Sequence, residues 1–127
     1  MKDARQDLGD AGEDAAWRVY QRRGFVLVAR NWRCRVGELD LVVGRGGLLV
    51  FCEVKTRRRG ALYGRGWEAV TSRKQAKLRA VAEAFLLATR ASAEGVRFDV
   101  ASVCVGSTPG PGRASDSVEV ELFEDAF

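Results

Sequence analysis

Residues 37–55 read GELDLVVGRGGLLVFCEVK, and this stretch decides the fold. Two apolar, β-rich runs flank the glycine-rich segment 44–47, a pattern typical of a β-hairpin. Strand side chains alternate between the two faces of a sheet. One face should carry Glu38, Asp40 and Val42 from the first strand and Leu49, Phe51, Glu53 and Lys55 from the second. The other face should be buried and carry Leu39, Leu41, Val43, Leu48, Val50, Cys52 and Val54.

The hairpin brings two carboxylates together. Any antiparallel register that aligns the two faces sets Asp40 close to Glu53, with Lys55 one step further along. Like charges opposite each other in a sheet are disfavoured by up to ~1 kcal/mol. A hard divalent cation such as Mg²⁺ removes that repulsion, and a nearby lysine can orient an attacking water. The pattern therefore indicates metal-dependent phosphodiester hydrolysis, with Asp40, Glu53 and Lys55 as catalytic residues.

The same residues have a simpler interpretation. Glu53 and Lys55 can form an ordinary ion pair on a half-solvated sheet face, and short Glu-x-Lys patterns are common by chance. The apolar residues on both sides and the basic residues elsewhere in the chain favour the site.

Composition predicts one domain over residues 1–127. Hydrophobic residues make up 46% and charged residues 30%, as in globular proteins. The apolar runs are too short to span a bilayer, and no signal-peptide pattern begins the chain, so a cytoplasmic protein without a membrane partner is expected. Cys34, Cys52 and Cys104 form no CxxC pair and suit free thiols in a reducing compartment.

Histidine is absent, which excludes several classes of site. Neither a Ser-His-Asp triad nor an HExxH zinc site can be built from this chain. Acid–base chemistry must therefore use carboxylates, lysine or water activated by a metal ion.

Charge is distributed unevenly along the chain. Residues 54–79 hold nine Lys or Arg against one acid, whereas residues 114–127 hold five acids and no base. Without that acidic end the formal charge would rise from +4 to +9. A basic block of this kind indicates a polyanionic partner, most often nucleic acid.

Periodicity and turn signals predict the element order α-β-β-β-α-β-β. The predicted helices cover about residues 3–23 and 71–90, and the strands outside the hairpin cover 25–35, 96–105 and the edge strand VEVELF (118–123). Residues 106–117 are rich in Pro, Gly and Ser and are expected to form a mobile loop. Glu13 lies at the edge of the apolar stripe of the first helix, where periodicity alone favours a solvated side chain.

The basic block is predicted to bind nucleic acid. Residues 56–70 should form a flexible basic loop in which arginines contact phosphates and Trp67 packs on the core. Cations at the start of the second helix add to this surface. The predicted contacts are Arg57, Arg58, Arg59, Arg65, Arg73, Lys74 and Lys77.

Several motifs together resemble a known family. RNWRCRVGELDLV, LLVFCEVKTR, AVTSRK and RFDV are similar to the YraN-like bacterial proteins, a family of predicted nucleases that resembles Holliday junction resolvases. The resemblance covers about residues 12–103. It implies a restriction-endonuclease-like α/β core, with a mixed central sheet flanked by helices.

The resemblance also implies roles for individual residues. Asp40, Glu53 and Lys55 match the Asp…Glu-x-Lys motif of that superfamily, and Glu13 matches the acidic residue that resolvase-like members place on the first helix. Glu13, Asp40 and Glu53 would then bind Mg²⁺ or Mn²⁺, and Lys55 would position the attacking water. The expected activity is hydrolysis of structured or branched DNA, for which a homodimer would suit symmetric junctions. The alternative is a nucleic-acid-binding protein that uses the same surface without cleaving.

Overall fold

The computed structural model describes residues 4–59, 70–108 and 115–127. Its elements follow the predicted order α-β-β-β-α-β-β. They are α1 (Ala4–Arg22), β1 (Val26–Arg33), β2 (Glu38–Arg45), β3 (Leu48–Arg58), α2 (Ser72–Thr89), β4 (Gly95–Thr108) and β5 (Ser115–Phe123). The five strands form one mixed sheet in the order β1-β2-β3-β4-β5. This architecture confirms the predicted restriction-endonuclease-like α/β core.

The 37–55 hairpin organises the sheet as predicted. β2 and β3 pair antiparallel, with Leu41 opposite Cys52 and Arg45 opposite Leu48. The turn is tight because Gly46 and Gly47 both take positive φ angles, which glycine adopts without a steric penalty. β3 then pairs parallel with β4, and α2 makes the crossover between them.

Residues close in sequence determine the end of α1 and the start of α2. Gly24, with φ of 86°, follows the end of α1, and the chain then turns into β1. Thr71 is the N-cap of α2, and its side chain accepts a hydrogen bond from the Lys74 backbone N–H at 3.3 Å. The predicted start of α2 is therefore confirmed.

Both faces of the sheet are buried, which differs from the predicted single buried face. Side chains of α1 cover one face, where the cluster includes Ala16, Tyr20, Leu41, Val43, Val50, Cys52 and Val103. Side chains of α2 cover the other, where the cluster includes Leu39, Val42, Leu49, Phe51, Val81, Phe85 and Phe98. The face expected to carry the site therefore has its own apolar core. The polar residues on this face lie beyond the edge of that core.

The basic segment after the hairpin begins as strand. Residues 56–58, predicted as loop, continue β3 and pair with residues 103–105 of β4. This extension follows from the parallel partner, which offers a continuous ladder of hydrogen-bonding groups to the arginines. The rest of the predicted loop, including Arg65 and Trp67, lies outside the described residues.

The predicted 106–117 loop is shorter than expected. Gly106 pairs with Ser117 and Thr108 with Ser115, so β4 and β5 extend into it from both sides. Only residues 109–114 lie outside the described chain at this point. β5 is an edge strand, and Glu119 and Glu121 are exposed on it as predicted.

Two expectations from composition can be compared with the structure. All three cysteines are free thiols, as predicted, with Cys52 buried and Cys34 and Cys104 partly buried. Neither α1 nor α2 is long and apolar enough to cross a membrane.

Candidate active site

A cleft of about 480 Å³ lies between the strands β2 and β3 and the first half of α2. Its polar lining combines acids from the strands with bases from the helix: Glu38, Asp40, Glu53, Lys74 and Lys77. Its apolar lining comes from Cys34, Val70, Leu78 and Val81. Two of the predicted metal ligands and two of the predicted phosphate contacts therefore meet in one place.

Asp40 is fixed by the backbone of the neighbouring strand. The antiparallel ladder of β2 and β3 has its last pair at Leu41 and Cys52. Beyond that pair, the Asp40 Oδ2 atom accepts a hydrogen bond from the Val54 N–H at 2.9 Å. The carboxylate thus satisfies a backbone donor that the ladder leaves unpaired, and it is held against β3.

The side chains of β2 do not alternate regularly between the two faces of the sheet at Asp40. Leu41 packs in the α1 cluster, whereas Leu39 packs in the α2 cluster, although strict alternation would give both the same face. The break falls at Asp40, whose side chain reaches β3 itself.

Asp40 is held in an environment that disfavours its charge. Burial is the largest cause, and the negative charge of Glu53 is the next; together they raise the pKa of Asp40 from 3.8 to about 7. The Val54 hydrogen bond acts in the opposite direction, while Glu13 and Glu38 add smaller repulsive contributions. A half-buried acid beside a second acid in a cleft is a typical candidate for a metal or catalytic site.

Glu53 and Lys55 lie on β3, two residues apart and on one face. The Lys55 Nζ atom is 3.4 Å from the Glu53 Oε1 atom. Only 24% of the Lys55 side chain and 19% of the Glu53 side chain are exposed. The ion pair that the simpler interpretation predicted does form, but it forms on a largely buried sheet face whose glutamate lines the cleft.

The helix supplies the opposite wall. Lys74 and Lys77 lie about one turn apart in α2, and both line the cleft. Lys55 approaches Lys74 closely enough to lower the pKa of Lys74. Gly37 allows Lys77 to lie across the strand connection, because a Cβ atom at position 37 would be 3.1 Å from the Lys77 Cε atom.

Glu13 is not solvated, contrary to the prediction from periodicity. Its side chain is only 12% exposed, and its Oε1 atom lies 3.2 Å from the Nε atom of Arg30 on β1. The Arg30 guanidinium also donates hydrogen bonds to the Asp14 carboxylate and to the Asp10 carbonyl, and these contacts connect α1 to the sheet. Glu13 is near enough to raise the pKa of Asp40, but it does not line the cleft.

The three consecutive arginines do not form one surface. Strand alternation sets Arg57 on the face of Lys55, and its buried Nε atom has no hydrogen-bond partner in the described chain. Arg58 is exposed at the end of β3. Arg59 turns toward β5, where it bonds Ser117 and Glu119. Arg73 is exposed on the first turn of α2 and does not line the cleft.

The donor set suits a hard cation shared with a substrate. In the described ranges, no group of three His, Cys, Asp or Glu residues is arranged to hold a metal ion. Asp40 and Glu53 nevertheless offer carboxylate oxygens side by side, and the raised pKa of Asp40 records the repulsion that a cation would relieve. Mg²⁺ commonly takes only one or two protein carboxylates and completes its shell with water and phosphate oxygens. The two acids fit that pattern, and a third acid is not required.

Sequence reasoning did not assign Glu38 or Arg33 to the site. Both line the cleft, and the Arg33 Nε atom is 3.0 Å from the Glu38 Oε2 atom. For Glu38 a signal existed, because alternation already set it on the face of Asp40. Arg33 carried no such signal, since its position depends on how β1 pairs with β2.

Comparison with known proteins identifies the family of this chain. The family profile described as Uncharacterised protein family UPF0102 matches residues 12–103, which include Asp40, Glu53 and Lys55. The chain belongs to UPF0102. This confirms the predicted YraN-like membership.

UPF0102 relatives match over nearly their whole length. A UPF0102 protein of Frankia casuarinae is 50% identical over 98% of each chain. One of Rhodococcus opacus is 42% identical over 94% of this chain and 95% of its own. One of Pelotomaculum thermopropionicum is 42% identical over the full length of both. This chain therefore aligns with at least 95% of the length of each of these three relatives.

Proposed function

We propose that this UPF0102 protein is a Mg²⁺-dependent endonuclease that hydrolyses phosphodiester bonds in structured or branched DNA in the cytoplasm. The observation that carries the proposal is the meeting of Asp40 and Glu53 at one cleft, with the Lys55 ammonium 3.4 Å from Glu53 and two helix lysines on the opposite wall. Mn²⁺ would serve in place of Mg²⁺. Basic side chains around the cleft suit a polyanion and not a neutral substrate.

Each residue has a role that follows from its environment. Asp40 and Glu53 hold the cation, and Mg²⁺ in that position supplies charge neutralisation at the phosphate and activation of the attacking water. Lys55, held on the same strand face, orients that water. Lys74 and Lys77 hold the phosphate from the helix side. Glu13, which the family resemblance adds to the metal ligands, acts from outside the cleft by fixing α1 and adding negative potential at Asp40.

A second candidate function uses the same surface without cleavage. The basic wall formed by Lys74 and Lys77 would serve a nucleic-acid-binding protein equally well. This rival predicts DNA affinity that does not depend on Asp40 or Lys55 and no strand scission under any metal condition.

Cleavage of a defined panel separates the two. Linear, nicked, flapped and four-way DNA, labelled at one end, would be incubated with Mg²⁺, Mn²⁺ or EDTA. The proposal expects metal-dependent products from at least one branched substrate, lost in Asp40→Asn and retained in Glu83→Gln, a matched loss of one exposed acid on α2. Absence of products from every substrate, with binding intact, would favour the rival.

Lys55 separates binding from chemistry. We expect Lys55→Ala to abolish cleavage while most DNA affinity remains, because one lysine is a small part of the basic surface. Arg18→Ala, which removes one exposed cation from α1, is the matched control for total charge. Removing one phosphate contact should change the slope of log K against log salt by at most about 0.9 on duplex DNA. A Lys55→Ala protein that cleaves normally would remove this residue from the mechanism.

A further inference from the structure

The cleft is larger than the proposed chemistry needs. Its volume is about 480 Å³, whereas a water molecule takes roughly 30 Å³ of liquid volume. A cation, its waters and the phosphate oxygens they contact fill only part of such a space. Pockets of roughly 300–1,000 Å³ are the size that proteins use for small organic ligands. The remaining volume therefore has room for an organic group next to the reacting phosphate.

The lining divides that space into two chemically different parts. Asp40 and Glu53 belong to the strand side, while Leu78, Val70 and Cys34 present carbon and sulfur atoms. All three of these apolar residues are partly exposed. An apolar concave surface beside a charged one favours a ligand with a weakly polar organic part joined to an anion.

The two helix lysines supply the anion contact. Neither Lys74 nor Lys77 forms an ion pair within the described residues, and both are exposed at the cleft. Lys77 is held in place by its packing on Gly37, next to Cys34. Lys74 and Lys77 both line the cleft, so two ammonium groups border the same space. This positive wall complements a phosphate whose attached group enters the apolar part.

We infer that the apolar part of the cleft binds an unpaired nucleobase next to the scissile phosphate. The inference rests on the nuclease function proposed above and specifies its substrate: DNA with a nucleotide outside the base stack. In a continuous duplex the bases are stacked inside while the phosphates face outward, so a base cannot reach the apolar wall unless it leaves the stack. That departure costs a few kcal/mol in duplex DNA and least where the nucleotide is already single-stranded.

Cys34 offers a direct test that does not depend on cleavage. In a Cys104→Ser background the other remaining thiol, Cys52, is buried, so iodoacetamide reports on Cys34. Alkylation would be timed in Ca²⁺, with intact DNA confirmed on a gel, at saturating concentrations set by fluorescence anisotropy. The probes are a ten-nucleotide oligothymidylate, the same strand with abasic sites, and a blunt duplex.

The expected result is base-dependent protection. Oligothymidylate should slow alkylation at least fivefold, and the abasic strand and the duplex should each slow it less than twofold. Equal protection by the abasic strand would overturn the inference, because the backbone alone would then cover the thiol. Equal protection by the duplex, no protection by any bound probe, or no binding of any probe would overturn it as well.

A variant pair gives a second measurement. Leu78→Ala should weaken oligothymidylate binding about fivefold and leave the abasic strand unchanged, whereas Leu87→Ala, on the same helix but 75% exposed and outside the cleft, should change neither. Equal effects of the two variants would refute the apolar contact. If the bases protect Cys34 but the protein never cleaves DNA, the base site stands and the proposed nuclease function is refuted. If the protein cleaves with metal but the bases give no protection, the nuclease function stands and the base site is refuted.

Discussion

Replacing Asp40 by Asn should make the metal-free protein more stable and remove its stabilisation by Mg²⁺. An asparagine oxygen can still accept the 2.9 Å hydrogen bond from the Val54 N–H, so the backbone contact is kept. What is lost is a negative charge that burial and Glu53 both disfavour. The substitution therefore isolates the electrostatic contribution of Asp40.

The pKa sets the size and the sign of the effect. An acid whose pKa rises from 3.8 to about 7 on folding disfavours the folded, ionised form by up to ~4 kcal/mol, at 1.36 kcal/mol per unit. Because the amide must also be desolvated and the cleft admits water, we expect a gain of about 1–2 kcal/mol at pH 8. The folded state binds the proton more tightly than the unfolded state, so the wild type loses this stability as pH rises from about 4 through 7. The variant should be insensitive to pH at this position.

Urea unfolding in EDTA at pH 4, 6 and 8 measures this prediction. The stability difference should grow with pH for Asp40→Asn and stay near zero for the exposed control Glu83→Gln. Adding Mg²⁺ at ten times its dissociation constant should then stabilise the wild type by about 1.4 kcal/mol and leave the Asp40 variant unchanged. A variant less stable than the wild type at pH 8 in EDTA, or equal Mg²⁺ stabilisation of both proteins, would refute the reasoning.

Two further predictions concern α1. Gly12→Ala would bring a Cβ atom into a clash with the Thr56 side chain and should destabilise the protein by about 1–3 kcal/mol. Gly9→Ala meets nothing within 4 Å and should stabilise the protein by up to ~1 kcal/mol. Urea unfolding measures both changes, and equal effects of the two variants would contradict this packing of α1. Glu13→Gln should lower stability by about 1 kcal/mol, because it weakens the contact with Arg30. It should leave DNA binding intact and reduce metal-dependent cleavage severely, because it removes negative charge that acts on Asp40. Normal cleavage by that variant would remove Glu13 from the site.

Local sequence signals were enough to predict the elements of this fold. The hairpin turn needs two positive φ angles, and Gly46 and Gly47 provide them. The Thr71 cap and the stripe of α2 likewise depend on residues a few positions apart. Such local signals could not predict that α2 covers the second face of the sheet. Val42, Leu49 and Phe51 alternate with residues that are also apolar, and only the packing of α2 decides that both sets are buried.

The site shows the same division between local and tertiary information. The spacing of Glu53 and Lys55 on one strand predicted their contact, and the hairpin predicted that Asp40 would lie nearby. The pairing of Glu13 with Arg30 could not be predicted, because it depends on the packing of α1 against β1. The three arginines were misjudged for a related reason. The parallel strand β4 pairs with Arg57 and Arg58, so these two side chains lie on opposite faces of the sheet.

Comparison with a second carboxylate, that of Asp99, explains why Asp40 is assigned to the candidate site and Asp99 is not. Asp99 is fully buried, and it accepts hydrogen bonds from the Tyr20 hydroxyl at 2.6 Å, from the Arg97 guanidinium at 2.9 Å and from the Asp125 N–H at 2.9 Å. Its charge is fully compensated inside the protein, as stability requires of a buried ion.

Among the described residues, Asp40 has one backbone donor; it faces a second acid and lines a cleft. Burial alone therefore does not distinguish a structural acid from a functional one, whereas the number of compensating donors does. At Asp99 the fold supplies every partner, so removing the Tyr20 hydroxyl should lower stability by about 1–3 kcal/mol and leave metal affinity unchanged. At Asp40 the compensation is incomplete, so the carboxylate takes up a proton below about pH 7, and a bound cation would favour its ionised form. That deficit is the physical reason to expect a cation between Asp40 and Glu53.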